Sequence, residues 1–465
     1  MNTSTLRLLA DARSAKAGGE RAMAARQRAR LTELVAWART RSPYYRHLYR
    51  DLPAGVADLA LLPPTSKPGL MAAFDDWVTD RAVTLAQARV FADDPARIGQ
   101  PFAGRYTLST TSGTTGTHGI FLQDARATAV TSAMMARLLA GWLSVRDVAR
   151  IARGGARTAL VIPEGGHFAS TVAAARLRGR SRVAALSVHQ PLQDLVAELN
   201  AFRPAVLAPY ASIGALLAGE AEAGRLHINP ALVMLTAEGL PVGEYARIAA
   251  ALRAKVRTSY ACNECPFLSY GCSESWMHLN ADWAVLEPVD EQYRPVAPGE
   301  PSHTVLLTNL ANHVQPILRY DLGDSVVLRP DPCPCGSPGP AVRVQGRAAD
   351  LLTFPGTARE QAPVTLAPLP LATLLEAVPG LELFQIVHTA PATLRIRLHP
   401  VPGTDPATLW HQIETRMRDL LARHHLGHVR LERGSEPIQH SAGGKVRAVI
   451  PLPATGMDPA GSVRP

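Results

Sequence analysis

Ser109-Thr110-Thr111-Ser112-Gly113-Thr114-Thr115-Gly116-Thr117-His118-Gly119 packs hydroxyls and glycines into one short loop. A β-favouring stretch, Tyr106-Thr107-Leu108, precedes it, and an apolar one, Ile120-Phe121-Leu122, follows. Glycine lets a backbone turn sharply and bring its N–H groups against a ligand. Successive N–H groups form a concave anion site, and Ser and Thr hydroxyls add uncharged donors. The chemistry this predicts is a grip on a polyphosphate. It is not a Walker loop, because no Gly-Lys-Ser/Thr follows. Composition alone also suits a plain Thr/Gly-rich surface turn, and the remaining chain decides between the two.

The chain has 465 residues, enough for two or three domains and a substantial core. Hydrophobic residues make up 47% and charged residues 19%, the balance of a soluble globular protein. Gly (35) and Pro (38) are abundant, so loops are plentiful. The net charge of +9 favours anionic ligands, nucleotides or CoA among them. The positive charges are mostly Arg scattered along the chain, with no concentrated basic block and no nucleic-acid motif, so no nucleic-acid partner is expected. No apolar run approaches eighteen residues and the basic N-terminus lacks a signal-type apolar segment, so the expectation is no membrane span and a cytoplasmic protein. Five cysteines without such a segment suggest metal binding more than disulfides.

Residues 5–50 read as one or two helices ending near Ser42-Pro43-Tyr44-Tyr45. A proline-set connection, Leu61–Pro68, leads to a short helix through Leu70–Trp77. Ala125–Leu143 suits a buried helix. From Thr158 to Leu235 apolar β-type runs alternate with helical ones: strands at 159–162, 183–188, 205–207 and 232–235, with helices at 193–202 and 213–222 between them. That order predicts βαβ units, with ligands beyond the carboxyl ends of the strands. Two such ends are Thr236-Ala237-Glu238-Gly239 and Tyr260-Ala261-Cys262-Asn263-Glu264. Short strands and turns follow from Val285 to Leu328. Beyond Gly346–Asp350 a separate α+β unit of roughly a hundred residues is expected, with helices at 371–377 and 407–424 and strands at 383–388, 394–398 and 429–432.

Several residues in these stretches suit definite chemistry. The Tyr260 ring can stack on an adenine, and the Glu264 carboxylate near phosphates can hold Mg²⁺. An Asp at a strand end, such as Asp324 in Arg319-Tyr320-Asp321-Leu322-Gly323-Asp324, can accept both ribose hydroxyls. Lys445 stands on a glycine-flanked loop, Ala442-Gly443-Gly444-Lys445, in a chain with few lysines, and can reach into a cleft to neutralise charge between a carboxylate and an α-phosphate. Cys272, His278, Cys333 and Cys335 supply three thiolates and an imidazole, a donor set for a closed, structural Zn²⁺ site. Cys262 and Cys265 are the competing ligands, set aside because they lie in or beside the Tyr260–Glu264 stretch.

The ordered set is more specific than its parts. Thr-Ser-Gly-Thr-Thr-Gly over 111–116 resembles the phosphate loop of the adenylate-forming superfamily, the acyl-CoA synthetases and their relatives. Tyr260–Glu264 resembles that superfamily's Tyr-Gly-x-Thr-Glu, and Arg319–Asp324 its Arg-Tyr-x-x-Gly-Asp. Gly346-Arg347-Ala348-Ala349-Asp350 resembles its Gly-Arg-x-Asp-Asp, and Gly444-Lys445 its C-terminal Gly-Lys. Three positions depart from the pattern: Ala261 replaces Gly, Asn263 replaces Thr, and Ala349 replaces the first acidic hinge residue. The Pro63-Pro64-Thr65-Ser66-Lys67 lead-in and the Cys…His…Cys-x-Cys arrangement are similar to phenylacetate-CoA ligase-like enzymes.

The resemblance implies an α/β fold: a large N-terminal AMP-binding domain of layered subdomains (residues 1–345), a hinge (346–352), a small mobile C-terminal lid (353–450) and a disordered tail (451–465). It implies nucleotide contacts from Thr111, Ser112, Gly113, Thr114, Thr115, Gly116, Glu238, Tyr260, Asn263, Asp324 and Arg347, Mg²⁺ on Glu264, and catalysis by Lys445 and Glu264. Zn²⁺ on Cys272, His278, Cys333 and Cys335 would brace the acyl-side wall. The implied reaction is ATP-dependent activation of an aromatic or small organic carboxylic acid as acyl-AMP, then transfer to CoA or to the phosphopantetheine of an acyl carrier protein. Relatives that adenylylate a hydroxyl without a thiol step, and a nucleotide-binding member without turnover, are the alternatives. His167, Phe168, Tyr210 and Glu238 are acid-pocket candidates by location, and a homodimer is compatible with the resemblance.

Overall fold

The computed structural model describes residues 5–53, 55–56, 58–111, 119–163, 166–177, 182–236, 240, 242–344, 352–356, 363–366, 368–439 and 448–452. The helical N-terminus forms Thr5–Ala17, Gly19–Arg41 and Pro43–Leu48. Gly19–Arg41 buries Met23, Leu31, Leu34, Val35 and Ala38, a three-to-four-residue spacing that keeps one face inward. Ser42 begins the next helix: its side chain accepts from the Tyr45 N–H, and Pro43 occupies the first turn, where a missing N–H costs nothing. The expected helix over Leu70–Trp77 is two short ones, Lys67–Ala72 and Phe74–Trp77, broken at Ala73.

At the centre lies a five-stranded parallel sheet in the spatial order Val183–Ser187, Thr158–Ile162, Val206–Pro209, Leu232–Leu235, Lys255–Thr258. The second strand in the chain pairs on one side of the first, and the third pairs on the other. The order therefore reverses between Thr158–Ile162 and Val206–Pro209, the switch point outside whose carboxyl end such sheets bind ligands. Helices Leu192–Phe202, Ala211–Glu222 and Val242–Ala251 cross between strands, as apolar runs alternating with helical ones require.

Up to Val344 the remaining described sheets are antiparallel. Thr107–Thr110 pairs with Ile120–Gln123 on either side of the Ser/Thr/Gly loop. A three-stranded sheet joins Ala284–Val289, Thr304–Asn309 and Ile317–Asp321. A four-stranded sheet runs Val326–Leu328, Ala341–Val344, Met277–Leu279, Ser269–Gly271. The segment 311–316 is largely buried without regular structure, and side chains satisfy its backbone groups. Trp37 Nε1 donates to the His313 carbonyl (3.1 Å), while Tyr45 OH (2.9 Å) and Trp77 Nε1 (2.8 Å) donate to that of Pro316. These bonds tie the N-terminal helices to the strand that carries Tyr320.

The C-terminal residues have a core of their own, from Leu352 to Val449. Its sheet runs Arg430–Gly434, Thr393–Pro400, Leu381–Ala390, Val449–Ile450, covered by Pro368–Glu376 and Pro406–Arg423. Asp405 caps the latter helix by accepting from Ala407 N and Thr408 N, and Leu409, Ile413, Met417, Leu420 and Leu421 form its buried stripe. The unit touches the parallel-sheet region where Gln193 Nε2 lies 3.3 Å from His425 Nε2. The expected hinge lies outside the described residues except Leu352, as does the tail beyond residue 452. Among the described residues no single helix is long and apolar enough to cross a membrane.

Candidate functional site: a nucleotide crevice and a thiol–imidazole cluster

Three stretches far apart in the chain converge on one crevice. Thr111 closes the base of the Ser/Thr/Gly loop: its N–H donates to the Gly119 carbonyl (3.0 Å), and its Oγ1 accepts from Gly119 N (2.9 Å). Position 119 has no room for a side chain, since a Cβ there would lie 2.5 Å from the Phe121 ring and 3.0 Å from Thr111 Oγ1. The adjacent Thr110 carbonyl accepts from Asn263 Nδ2 at 3.1 Å. Asn263 and Glu264 sit at the tip of a tight turn whose flanks, Cys262 and Cys265, exchange backbone bonds of 3.4 and 3.1 Å. Those two cysteines thus shape the turn and stand apart from the other three.

Tyr260, just past the Lys255–Thr258 strand, donates its hydroxyl to Asp324 Oδ2 at 2.8 Å. Tyr260 is half-buried, which leaves ring surface for stacking. Its backbone is held on both sides by one hydroxyl: Ser269 Oγ accepts from Tyr260 N (2.8 Å) and donates to Tyr260 O (2.9 Å). Glu264 is buried, and its Oε1 accepts from Tyr320 OH at 2.8 Å. Asn309 Nδ2 donates to the Glu264 carbonyl at 2.7 Å. Asn263 Oδ1 is buried with no hydrogen-bond partner among the described residues. A fixed carboxylate beside an orphaned amide oxygen is a set of hard oxygen donors, the kind Mg²⁺ takes. With Nδ2 spent in part on Thr110, the Asn263 side chain offers a cation or a bound water its oxygen, and a phosphate only its second N–H.

Cys272, His278, Cys333 and Cys335 form the second constellation, with one ligand atom from each lying within 4.8 Å of all the others. Cys272 Sγ is 3.8 Å from Cys333 Sγ, and Cys335 Sγ is 3.2 Å from His278 Nε2. Sulfurs bound to one tetrahedral Zn²⁺ at about 2.3 Å stand roughly 3.8 Å apart, so these residues fit that ion. Burial pushes the Cys335 thiol up to about 12, with Cys333 and Cys272 adding to it. Burial also lowers His278, while the Gly339 carbonyl acts the other way. Neutral thiols crowded this closely gain little from one another, and a cation supplies the missing attraction. The Tyr270 ring stacks on His278 with centroids 5.7 Å apart, and Tyr270 OH lies 2.6 Å from Ser337 Oγ, which fixes the imidazole.

No protein-family model matches the sequence, and no curated protein matches it. Among solved structures, the chain is similar to 2-hydroxyisobutyryl-CoA ligase with its acyl-AMP and CoA in the thioesterification state. There the TM-score is 0.56 and the identity 21%, over 91% of this chain and 88% of that one. It is also similar to the postadenylation state of that ligase, with a TM-score of 0.53 and 20% identity over 93% and 89%. The chain has the adenylate-forming enzyme fold.

Within the adenylate-forming fold, the described candidates fall in one neighbourhood. Thr111, Asn263 and Glu264 are linked through Thr110 and the 262–265 turn, and Tyr260 is bonded to Asp324. Ser112, Gly113, Thr114, Thr115, Gly116, Glu238, Arg347 and Lys445 lie outside the described residues. The acid-pocket candidates flank the switch point. His167 and Phe168 follow Thr158–Ile162, and Tyr210 follows Val206–Pro209, with its hydroxyl 3.1 Å from Ser170 Oγ. His167 Nε2 lies 3.1 Å from the Asp94 carbonyl and its ring packs on Phe91, so its side chain also secures the 91–94 segment. The sheet that carries the cysteine cluster also carries Ser269, which holds Tyr260, and Val326–Leu328, which begins two residues after Asp324.

Sequence reasoning missed Tyr320, Asn309 and Ser269 as members of the site. Tyr320 stands inside the quoted Arg319–Asp324 stretch, so position was a signal; Asn309 and Ser269 carried none.

Proposed function

We propose that the chain activates a carboxylic acid with ATP, releasing pyrophosphate and forming an acyl adenylate, and then passes the acyl group to a thiol. The observation that carries this reading is the bond between Tyr260 and Asp324, on the same crevice as Glu264 and the foot of the Ser/Thr/Gly loop. The acyl-AMP and CoA named in the similar ligase structures support both half-reactions.

The half-buried Tyr260 ring stacks on the adenine, and Asp324 takes the ribose hydroxyls in place of part of its bond to Tyr260. Backbone N–H groups of 111–116 hold the terminal phosphates. Glu264, with Asn263 beside it, holds Mg²⁺, which when bound supplies charge neutralisation on the phosphates. Lys445 lies between the acid carboxylate and the α-phosphate, where it offsets the repulsion of two anions that must approach. Holding the two reactants in line replaces a bimolecular encounter, and positioning with neutralisation provides most of the rate. The segment 353–450 then rotates about 346–352, and the thiol of CoA or of a carrier-protein pantetheine displaces AMP. The acid is aromatic or small and enters at the switch point beside His167 and Tyr210. Cys272, His278, Cys333 and Cys335 hold a structural Zn²⁺.

The test is pyrophosphate release across a panel of acids, with and without CoA. Acid-dependent release and a thioester in the presence of CoA are expected. Lys445→Ala should abolish release while nucleotide still binds. Release without any thioester would move the acceptor to a carrier protein or a hydroxyl. No release with any acid, despite nucleotide binding, would contradict the activity.

A further inference from the structure

A β-bulge beside the crevice points to a residue with a defined task. Along the pair Thr304–Asn309 and Ile317–Asp321, Leu307 faces Tyr320 but Asn309 faces Ile317. Two steps on one strand oppose three on the other, so one extra residue sits at Leu318–Arg319. Arg319 has φ of 44°, in the left-handed region that disfavours a side chain. Such strain persists only where surroundings enforce it. Here they do. Arg319 N donates to Thr308 Oγ1 (3.0 Å), its Nη1 donates to the Leu62 carbonyl (2.5 Å), and its Nε lies 3.2 Å from Glu287 Oε2. Thr65 clamps the kink from outside: its N–H donates to Arg319 O (2.9 Å), its Oγ1 to Leu318 O (3.0 Å), and its carbonyl accepts from Asp321 N (2.8 Å).

What the bulge aims is Tyr320. The ring is 1% exposed and meets Phe121 edge-on, at 6.3 Å and 89°, which leaves it little freedom to swing. Its hydroxyl donates to Glu264 Oε1, while Asn309 holds the backbone of the same glutamate. We infer that Tyr320 is a positioning residue: it fixes the Glu264 carboxylate in the orientation that receives a divalent cation, and the strained bulge at Arg319 exists to place it. This rests on the nucleotide-site reading above. A phenol suits the task better than Lys or Arg would, because it orders the carboxylate without cancelling the charge the cation needs.

The experiment compares wild type with Tyr320→Phe in the full chain, with Mn²⁺ as a paramagnetic probe read by water-proton relaxation in the presence of ATP. Partners that orient a metal ligand are typically worth 10–100-fold in affinity. The Mn²⁺ concentration at half-saturation should therefore rise about tenfold. Metal-free AMP binding, measured by calorimetry, should stay unchanged because Tyr260 and Asp324 are untouched. In a Glu264→Gln background, Tyr320→Phe should add nothing. Unchanged Mn²⁺ half-saturation, or a further loss in the Glu264→Gln background, would overturn the proposal. Loss of AMP binding or of the folded state in Tyr320→Phe would make Tyr320 a packing residue and also overturn it. Failure of wild type itself to bind AMP would count against the nucleotide site, a result distinct from these.

Discussion

At the scale of single residues, the crevice depends on what each side chain does before a ligand arrives. Asp324 is buried, and its Oδ2 accepts from the Tyr260 hydroxyl. Asp324→Ala removes that acceptor while leaving the Tyr260 ring in place. Hydrogen bonds to charged groups contribute about 1.5–3 kcal/mol, so AMP affinity should fall roughly tenfold to a hundredfold by calorimetry. Equal affinity in a folded variant would remove Asp324 from the site. Tyr260, Glu264 and Asp324 were singled out in the sequence by the resemblance of their stretches to known motifs, since each side chain alone equally suits a strand end or a turn; the structure brings them together. The task of Tyr320 was not legible, because it depends on a bulge that no local pattern announces. Ala261 is exposed, so the methyl group that replaces glycine adds bulk at the crevice surface rather than in the core.

At the scale of elements, the four-stranded sheet links the thiol–imidazole cluster to Tyr260 through Ser269. Gly271 shows how closely its edge approaches the parallel sheet: a Cβ there would lie 2.5 Å from the Thr258 carbonyl oxygen. Ser269, two residues earlier, grips Tyr260. Removal of metal by a chelator should lower the melting temperature and weaken AMP binding several-fold, by loosening Tyr260 and Asp324 together. Protein that carries no zinc by elemental analysis, or AMP affinity indifferent to chelation, would contradict this. The parallel strands and both C-terminal helices were legible from apolar periodicity. The three-residue strands Ser269–Gly271 and Met277–Leu279 were not, because so short a run has no period. The helix Val145–Arg153 was also missed, although Ser144 and Asp147 form a capping box that marks its start.

At the scale of the whole molecule, the chain brings the foot of the Ser/Thr/Gly loop at Thr110–Thr111, the turn bearing Glu264 and the Tyr260–Asp324 pair together beside a switched parallel sheet. A second core, from Leu352 to Val449, rests against that region near His425. The order of motifs along the chain made this plan legible, since a fixed order of weak signals is far less accidental than any one of them. The contact of Gln193 with His425 was not, because it joins residues 232 positions apart that no local pattern pairs. The proposed activity requires one nucleotide to lie beside Tyr260 and the foot of the Ser/Thr/Gly loop. A crystal structure of the full chain with AMP is the decisive measurement. The expected result is adenine on the Tyr260 ring, ribose hydroxyls on Asp324 and the phosphate facing Thr111 and Gly119. Adenosine bound elsewhere on the molecule, with the Tyr260–Asp324 bond undisturbed, would contradict it.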